Sequence, residues 1–358
     1  MKHKTALALF SGGLDSILAV KLVASLGVRV LAVKFVTPFF DYEVLEDPEK
    51  YKQEVMDKYG IEVILHDLSR NYLDLLHNPS HGFGKNFNPC IDCKILMCSR
   101  AREMMAEYGA SFLISGEVLG QRPMSQRRDT LRVIERDSDN DGLLLRPLSA
   151  KLMDPTKAET EGWIDREKLL NFSGRGRSRQ IQLAKEYGIM DFPAPAGGCI
   201  LADPILSTRI EKIYQGDFVI KAEDISVTDI RLLLLGRQFL LPEGAWLVLG
   251  RNEKENSTIE GLAEEDDILL YMPHRPGPTA LLRGVKTGSS DIDDNADVLQ
   301  NAAGLVVRYG KKVKEGDSGA VVEFRRTGKI WTSTMQPLSD NLYKSWMFNG
   351  SARTKNLK

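Results

Sequence analysis

The stretch LALFSGGLDSILAV, residues 7–20, constrains this chain more than any other. Thr5–Phe10 reads as a buried strand, the run breaks at Gly12 and Gly13, and Ile17–Leu26 carries apolar residues on a helical stripe closed by Gly27. A strand, a glycine loop and a helix in that order build an anion site, because loop N–H groups and the helix N-terminus point the same way. Ser11 and Ser16 add hydroxyl donors. The loop is not GxxxxGK[ST], since Lys21 lies too far along the helix, and it is not GxGxxG, since the glycines are adjacent. Asp15 repels a bare phosphate. It makes sense with a metal ion between them, and Mg²⁺ binds through one or two carboxylates plus substrate phosphates. Such a loop suits cleavage of ATP between its α and β phosphates. The plainer alternative is a glycine turn with an aspartate helix cap.

Alternation continues downstream. Val28–Val36 reads as a second strand, Asp47-Pro48 opens a helix ending at Gly60, and Ile61–Leu65 is a third strand. A helix over Cys93–Tyr108, strands over Phe112–Ser115 and Leu143–Pro147, and a helix over Arg179–Tyr187 follow. The pattern predicts an α/β fold with a doubly wound parallel sheet, whose ligands sit at the carboxyl ends of the strands. After Phe192–Gly198 the texture changes to short alternating runs (AWLVLG, DILLYM, GAVVEFR) with one helical pattern at Ala296–Tyr309. That predicts a second, smaller α+β domain. The expected division is a first domain over 1–205, a second over 216–340 and a loose tail over 345–358. A chain of 358 residues, 42% hydrophobic and 27% charged, accommodates two domains. No apolar stretch approaches the ~20 residues that cross a bilayer. The basic, apolar start runs straight into the glycine loop without a small-residue cleavage site, so a cytoplasmic location is expected.

Of the four cysteines, Cys90 and Cys93 form a CxxC in NPCIDCK, with Lys94 next, and Cys199 ends PAPAGGC. Cys98 lies five residues beyond Cys93, about 500° around a helix, so it points roughly 140° away and reads as a core residue. The other three fit two chemistries. They could bind an iron–sulfur cluster with one iron lacking a protein ligand, or Cys90 or Cys93 could pair with Cys199 in a persulfide relay. A relay needs only two thiols, which favours the cluster.

SGGLDS resembles the signature of the N-type, or PP-loop, ATP pyrophosphatases, which activate an oxygen or acid by adenylation. FLISGEVLGQRPMSQRRDTL and LLLRPLSAKLMDPTKAE resemble two segments of the tRNA 4-thiouridine synthetase family, and residues 5 to about 203 can be laid along its catalytic domain. The resemblance implies an adenine nucleotide α-hydrolase-like fold. It places Phe10, Ser11, Gly12, Gly13, Asp15 and Ser16 at the phosphates and Mg²⁺, and Phe35, Lys94, Gly116 and Gln126 at further ATP contacts. One residue is inserted between Gly116 and Gln126 relative to that family. LPEGAWLVLGRNEKEN, DDILLYMPHRPGPTALLRG and NADVLQNAAGLVVRYG resemble an NFACT-R type RNA-binding domain, over roughly Leu233 to Arg325. Where that module carries histidines this chain has Tyr271 and Thr279.

The net charge of −1 means that RNA contact would use local patches. Arg251, Lys254, Arg275 and Arg283 are the candidates in the second domain. Arg122, Arg127, Arg128, Arg175, Arg177 and Arg179 are those of the first. Together these readings predict ATP-dependent tRNA thiolation: adenylation of a uridine carbonyl oxygen, then sulfur transfer giving 4-thiouridine. Asp15, Lys94, Cys90, Cys93 and Cys199 are the expected catalytic residues. ATP, Mg²⁺ and a [4Fe–4S] cluster on Cys90, Cys93 and Cys199 are the expected cofactors. The expected partners are tRNA, sulfide or a sulfur-donor protein, with no membrane and a homodimer allowed. The alternatives are a 2-thiouridine-forming thiolase, a PP-loop ligase acting on a small molecule, and an RNA-binding adaptor with a decayed catalytic half.

Overall fold

The computed structural model describes residues 4–194, 199–242, 244–285, 296–311 and 319–348. The chain divides into two compact units, Met1–Ala202 and Asp203–Lys358.

The first unit is built on five parallel strands: β1 (Thr5–Leu9), β2 (Arg29–Val36), β3 (Val63–Asp67), β4 (Phe112–Ser115) and β5 (Leu144–Leu145). Their order is β3-β2-β1-β4-β5. Its helices are α1 (Leu14–Ser25), α2 (Pro48–Tyr59), α3 (Ser69–Leu75), α4 (Cys90–Glu107), α5 (Arg128–Asp137), α6 (Lys157–Thr160) and α7 (Ser178–Glu186). Successive strand residues face opposite sides, and the core divides accordingly. Ala6, Ala8 and Ala32 pack with Ile17 and Leu18 of α1, whereas Leu7, Leu31 and Val33 pack with Cys98, Ala101 and Met104 of α4. The doubly wound α/β expectation therefore holds. Strand order reverses between β1 and β4, and this switch point is where such sheets hold ligands.

Helix α4 begins at Cys90, one turn before the expected Cys93. Proline is tolerated at a helix start, where its missing N–H has no partner to lose, and the Cys93 N–H bonds the Pro89 carbonyl at 2.8 Å. Both cysteines of the CxxC thus stand on the opening turn.

In the second unit, α8 (Pro204–Tyr214) and α9 (Val227–Leu233) precede a six-stranded antiparallel sheet. Its strands are β6 (Arg237–Leu240), β7 (Trp246–Leu249), β8 (Ile268–Tyr271), β9 (Ala280–Arg283), β10 (Ala320–Arg326) and β11 (Lys329–Met335), in the order β11-β10-β8-β9-β7-β6. α10 (Glu253–Gly261) follows β7 and α12 (Asp340–Tyr343) follows β11. α11 (Ala296–Tyr309) buries Val298, Ala302 and Val306 against Leu247, Leu270, Leu282 and Phe324.

This unit starts earlier than the expected residue 216. Arg209 of α8 donates to the carbonyls of Leu233, Leu235 and Gly236, tying that helix to the entrance of the sheet. The expected loose tail also begins too early at 345. Phe348 is buried, its N–H bonds the Gln238 carbonyl at 2.8 Å, and its ring lies 5.1 Å from that of Phe218. The rest of that tail, 349–358, lies outside the described residues. Among the described residues no helix is long and apolar enough to cross a membrane.

Candidate active site

The loop from β1 into α1 is shaped by two glycines. Gly12 has φ +78°, a left-handed conformation that favours glycine. Gly13 is the N-cap residue of α1 and no side chain caps that helix end, which leaves its first amides for a ligand. The loop braces itself: the Gly13 N–H bonds Ser11 Oγ at 3.3 Å and Ser16 Oγ donates to the Gly13 carbonyl at 2.7 Å. A third glycine fixes it from outside. A Cβ on Gly116, just past β4, would lie 2.5 Å from Ser16 N and 2.6 Å from the Asp15 carbonyl oxygen. Only glycine lets these two backbones meet.

Asp15 lies in the first turn of α1. Its Oδ2 accepts from Gln121 Nε2 at 3.1 Å and stands 4.0 Å from Arg177 Nη2, while Oδ1 is buried with no partner. Burial pushes its carboxyl up, and this outweighs the opposing pull of Gln121, Arg177 and Arg122. An unpartnered carboxylate oxygen beside an uncapped helix N-terminus fits a phosphate-borne cation. Mg²⁺, with its oxygen ligands, suits this donor set.

Three further groups surround the loop, and none of their roles was read from the sequence. Lys34 of β2 is buried, with its Nζ 2.7 Å from Asp41 Oδ2 and donating to the Ser11 carbonyl at 3.2 Å. Glu117, next to Gly116, holds Lys94 at 3.6 Å and accepts from Arg146 Nε at 3.1 Å, and Arg146 also pairs with Glu135. Burial alone would raise the Glu117 carboxyl, but Lys94 and Arg146 hold it below the usual range. Lys94 is therefore an oriented cation rather than a free one. Gln180, the third, lies beside Asp15.

Cys90 and Cys93 sit on the first turn of α4, and Cys199 accepts through its carbonyl from Ala202 N at 2.9 Å. The three thiols lie within one another's field, each of the other two raising Cys93. Burial is the main cause, pushing the Cys93 thiol up to about 12, while neighbouring Lys94 opposes it. Tyr72 of α3 is buried beside them, its hydroxyl facing the Cys93 thiol and its ring packed by Phe39 at 5.2 Å. Cys98 is core, as expected. Among the described residues no group of three or more His, Cys, Asp or Glu is placed to hold a metal ion. Residues 195–198 of PAPAGGC lie outside the described residues.

Three of the expected ATP contacts engage their side chains elsewhere in the fold. The rings of Phe10 and Phe35 belong to the core, that of Phe35 lying edge-on to His66 at 5.8 Å. Both rings are taken up in packing, which leaves the backbone of these residues for any nucleotide contact. Gln126 is buried and its Oε1 accepts from Arg122 N at 3.1 Å, so it folds its own loop while Gln121 reaches Asp15.

The RNA candidates also divide. Arg122, Arg127, Arg128 and Arg175 are exposed, with Arg127 3.6 Å from Asp129 and Arg128 donating to the Leu152 carbonyl at 2.5 Å. Arg179 is exposed but lies 4.3 Å over the Phe172 ring and donates to Asn171, and Arg177 turns inward to Asp15. In the second unit Lys254 is exposed, Arg251 forks onto Glu255, and Arg275 donates to the Lys311 carbonyl. Arg283 is no surface contact. It is buried between Asp229 and Asp267, both at 2.5 Å, because a charge inside the sheet must be paired.

Residues 2–155 match the family model described as thiamine biosynthesis protein (ThiI), and residues 236–347 match that of the NFACT protein RNA binding domain. A probable tRNA sulfurtransferase of Thermococcus kodakarensis is 29% identical over 133 residues, 37% of this chain and 34% of that protein. The chain thus spans about a third of the length of the curated relative it matches. Among solved structures, a 4-thiouridine synthetase–RNA complex with bound ATP is 24% identical, with 52% of this chain and 41% of that chain covered and a TM-score of 0.37. The U34-tRNA thiolase NcsA from Methanococcus maripaludis with its [4Fe-4S] cluster is 17% identical, with 55% and 61% covered and a TM-score of 0.30. At such TM-scores neither likeness bears on function. The two family matches fall in different units: the first unit is similar to the ThiI family over residues 2–155 and the second to the NFACT RNA binding domain over residues 236–347.

Proposed function

We propose that the protein is an ATP-dependent tRNA sulfurtransferase that converts a uridine carbonyl to a thiocarbonyl, giving 4-thiouridine. One observation carries this reading: Gln121 bonds Asp15 in the glycine loop, and its neighbour Arg122 is felt by both Asp15 and Cys199. Two adjacent residues of one loop therefore link the nucleotide site to the thiols. The family of the first unit, the RNA-binding type of the second and the name of the Thermococcus relative support it.

The uridine oxygen attacks the α-phosphorus, the bond to the β-phosphate oxygen breaks, and pyrophosphate leaves. Hydrosulfide then adds to the ring carbon, a proton is released, and AMP departs with the oxygen. Adenylation is needed because a carbonyl oxygen is otherwise a very poor leaving group. The α1 N-terminus and Ser11 bind the phosphates, Asp15 would hold their Mg²⁺, and Lys94, oriented by Glu117, stabilises charge on the transferring phosphoryl. A [4Fe–4S] cluster on Cys90, Cys93 and Cys199 would supply an open iron to hold sulfide. The mutual proximity of the three thiols supports this assignment.

Mass spectrometry of tRNA nucleosides with and without the gene tests the reading. It should show a thiouridine lost on deletion, and unchanged thiolated nucleosides would overturn the proposal. Iron and labile sulfide in anaerobically purified protein test the cluster, and a metal-free, fully active enzyme would remove it. ATP–pyrophosphate exchange that answered a carboxylic acid and ignored tRNA would instead identify a ligase.

A further inference from the structure

Arg177 differs from the arginines beside it. Arg175 and Arg179 are exposed, whereas the Arg177 side chain is only 19% exposed. Its loop is laced to the segment after β4: the Gly174 N–H bonds the Leu119 carbonyl at 2.8 Å, and Leu119 bridges Ser173. That same segment continues to Gln121, which bonds Asp15. Arg177 Nη2 stands 4.0 Å from Asp15 Oδ2, too far for a hydrogen bond.

The pair is frustrated in a specific way. Arg177 Nε is buried with no partner, and so is Asp15 Oδ1. Gln180 Nε2, likewise buried with no partner, lies beside Asp15 and eases its carboxylate, but the buried guanidinium nitrogen has no acceptor among these neighbours. A ligand that answers both must offer anionic oxygens to the guanidinium and a cation to the carboxylate. A polyphosphate carrying a divalent cation does so. A single RNA phosphodiester cannot chelate that cation as the adjacent phosphates of a polyphosphate do.

We infer that Arg177 binds the β and γ phosphates of ATP, as a catalytic residue that takes up the negative charge of the departing pyrophosphate. The inference rests on the nucleotide half of the proposed function and reassigns a residue expected to contact RNA. When the bond between the α-phosphorus and the β-phosphate oxygen breaks, its electron pair leaves with pyrophosphate. The planar fork of a guanidinium matches those oxygens with two parallel N–H bonds.

Calorimetric titration of wild type, Arg177→Gln and Arg177→Lys with ATP and with pyrophosphate, both with Mg²⁺, tests this. Filter binding of tRNA across a salt series runs beside it. Arg177→Gln should weaken ATP and pyrophosphate by about 10- to 100-fold, the range of a lost charge-assisted hydrogen bond. Arg177→Lys, which keeps the charge and guards against a folding defect, should recover part of that loss. The affinity for tRNA and its salt slope should stay unchanged. Equal ATP binding by wild type and Arg177→Gln overturns the inference. So does a loss confined to tRNA with a salt slope lower by about one, which marks an RNA phosphate contact. Wild-type protein that binds no ATP counts against the proposed function itself, which separates the two failures.

Discussion

Asp15 and Glu117 are carboxylates of one unit whose surroundings push them in opposite directions, and this separates function from stability residue by residue. Asp15 is raised by burial, so the folded state holds its proton more tightly than the unfolded chain does. Its contribution is complete in acid, below the unfolded value, and is lost as pH rises through the folded value. In metal-free buffer, Asp15→Asn should therefore be more stable than wild type at pH 7, with the gap closing toward pH 4 in urea titrations. The same variant should lose adenylation by roughly a hundredfold or more, the scale of a preorganised electrostatic contact. Glu117 is the reverse case. Burial opposes its charge, yet Lys94 and Arg146 hold its pKa down, so its contribution is present above the unfolded value and disappears as pH falls through the folded one. Glu117→Gln leaves Arg146 buried with one fewer partner and should cost about 3 kcal/mol at neutral pH, shrinking in acid. The position of Asp15 in the loop was legible because it follows from the spacing of SGGLDS. Lys34 was not: it interrupts the apolar run RVLAVKFV, and its partners Asp41 and Ser11 arrive from other turns.

At the level of elements, what was legible depended on how locally each one is determined. β4 lies where its apolar run predicted, and β1 and β2 differ by a single end residue, because strands buried on both faces carry few polar positions to blur them. α3 was missed. LSRNYLDLLH is short and polar on one side, and its helix is held by burying Tyr72 and Leu73 rather than by its own pattern. The meeting of β4 with α1 gives a sharper test. A methyl group on Gly116 would overlap the backbone of Asp15 and Ser16, and neither neighbour is a flexible side chain that can swing aside. Gly116→Ala should thus move the loop as well as strain the sheet. The expected outcome is a stability loss of about 1–3 kcal/mol together with an ATP affinity that falls further than Tm alone implies. Normal ATP binding in a merely less stable protein would show that the loop does not depend on this contact.

At the scale of the whole molecule, the sequence could separate two textures but could not tell a structural arginine from an RNA-binding one. Arg283 ends a strand that reads ALLRG, and the partners that bury it, Asp229 and Asp267, are 54 and 16 positions away. No local pattern encodes that. The distinction has measurable consequences in the second unit, proposed to bind RNA. Removing Arg283 leaves two buried carboxylates without their counter-charge, so Arg283→Ala should cost about 3–5 kcal/mol and melt that unit early. Any loss of RNA affinity should then track unfolding and vanish at temperatures where the fold survives. Lys254 is exposed on α10. Lys254→Ala should leave Tm unchanged, weaken RNA binding alike across sequences, and reduce the slope of log affinity against log salt by roughly 0.7–0.9, one released counterion. Melting curves and salt-series titrations on the two full-length variants decide the matter. If Arg283→Ala instead lowers the salt slope at unchanged Tm, the guanidinium reaches RNA and its burial between two aspartates is not the state that binds.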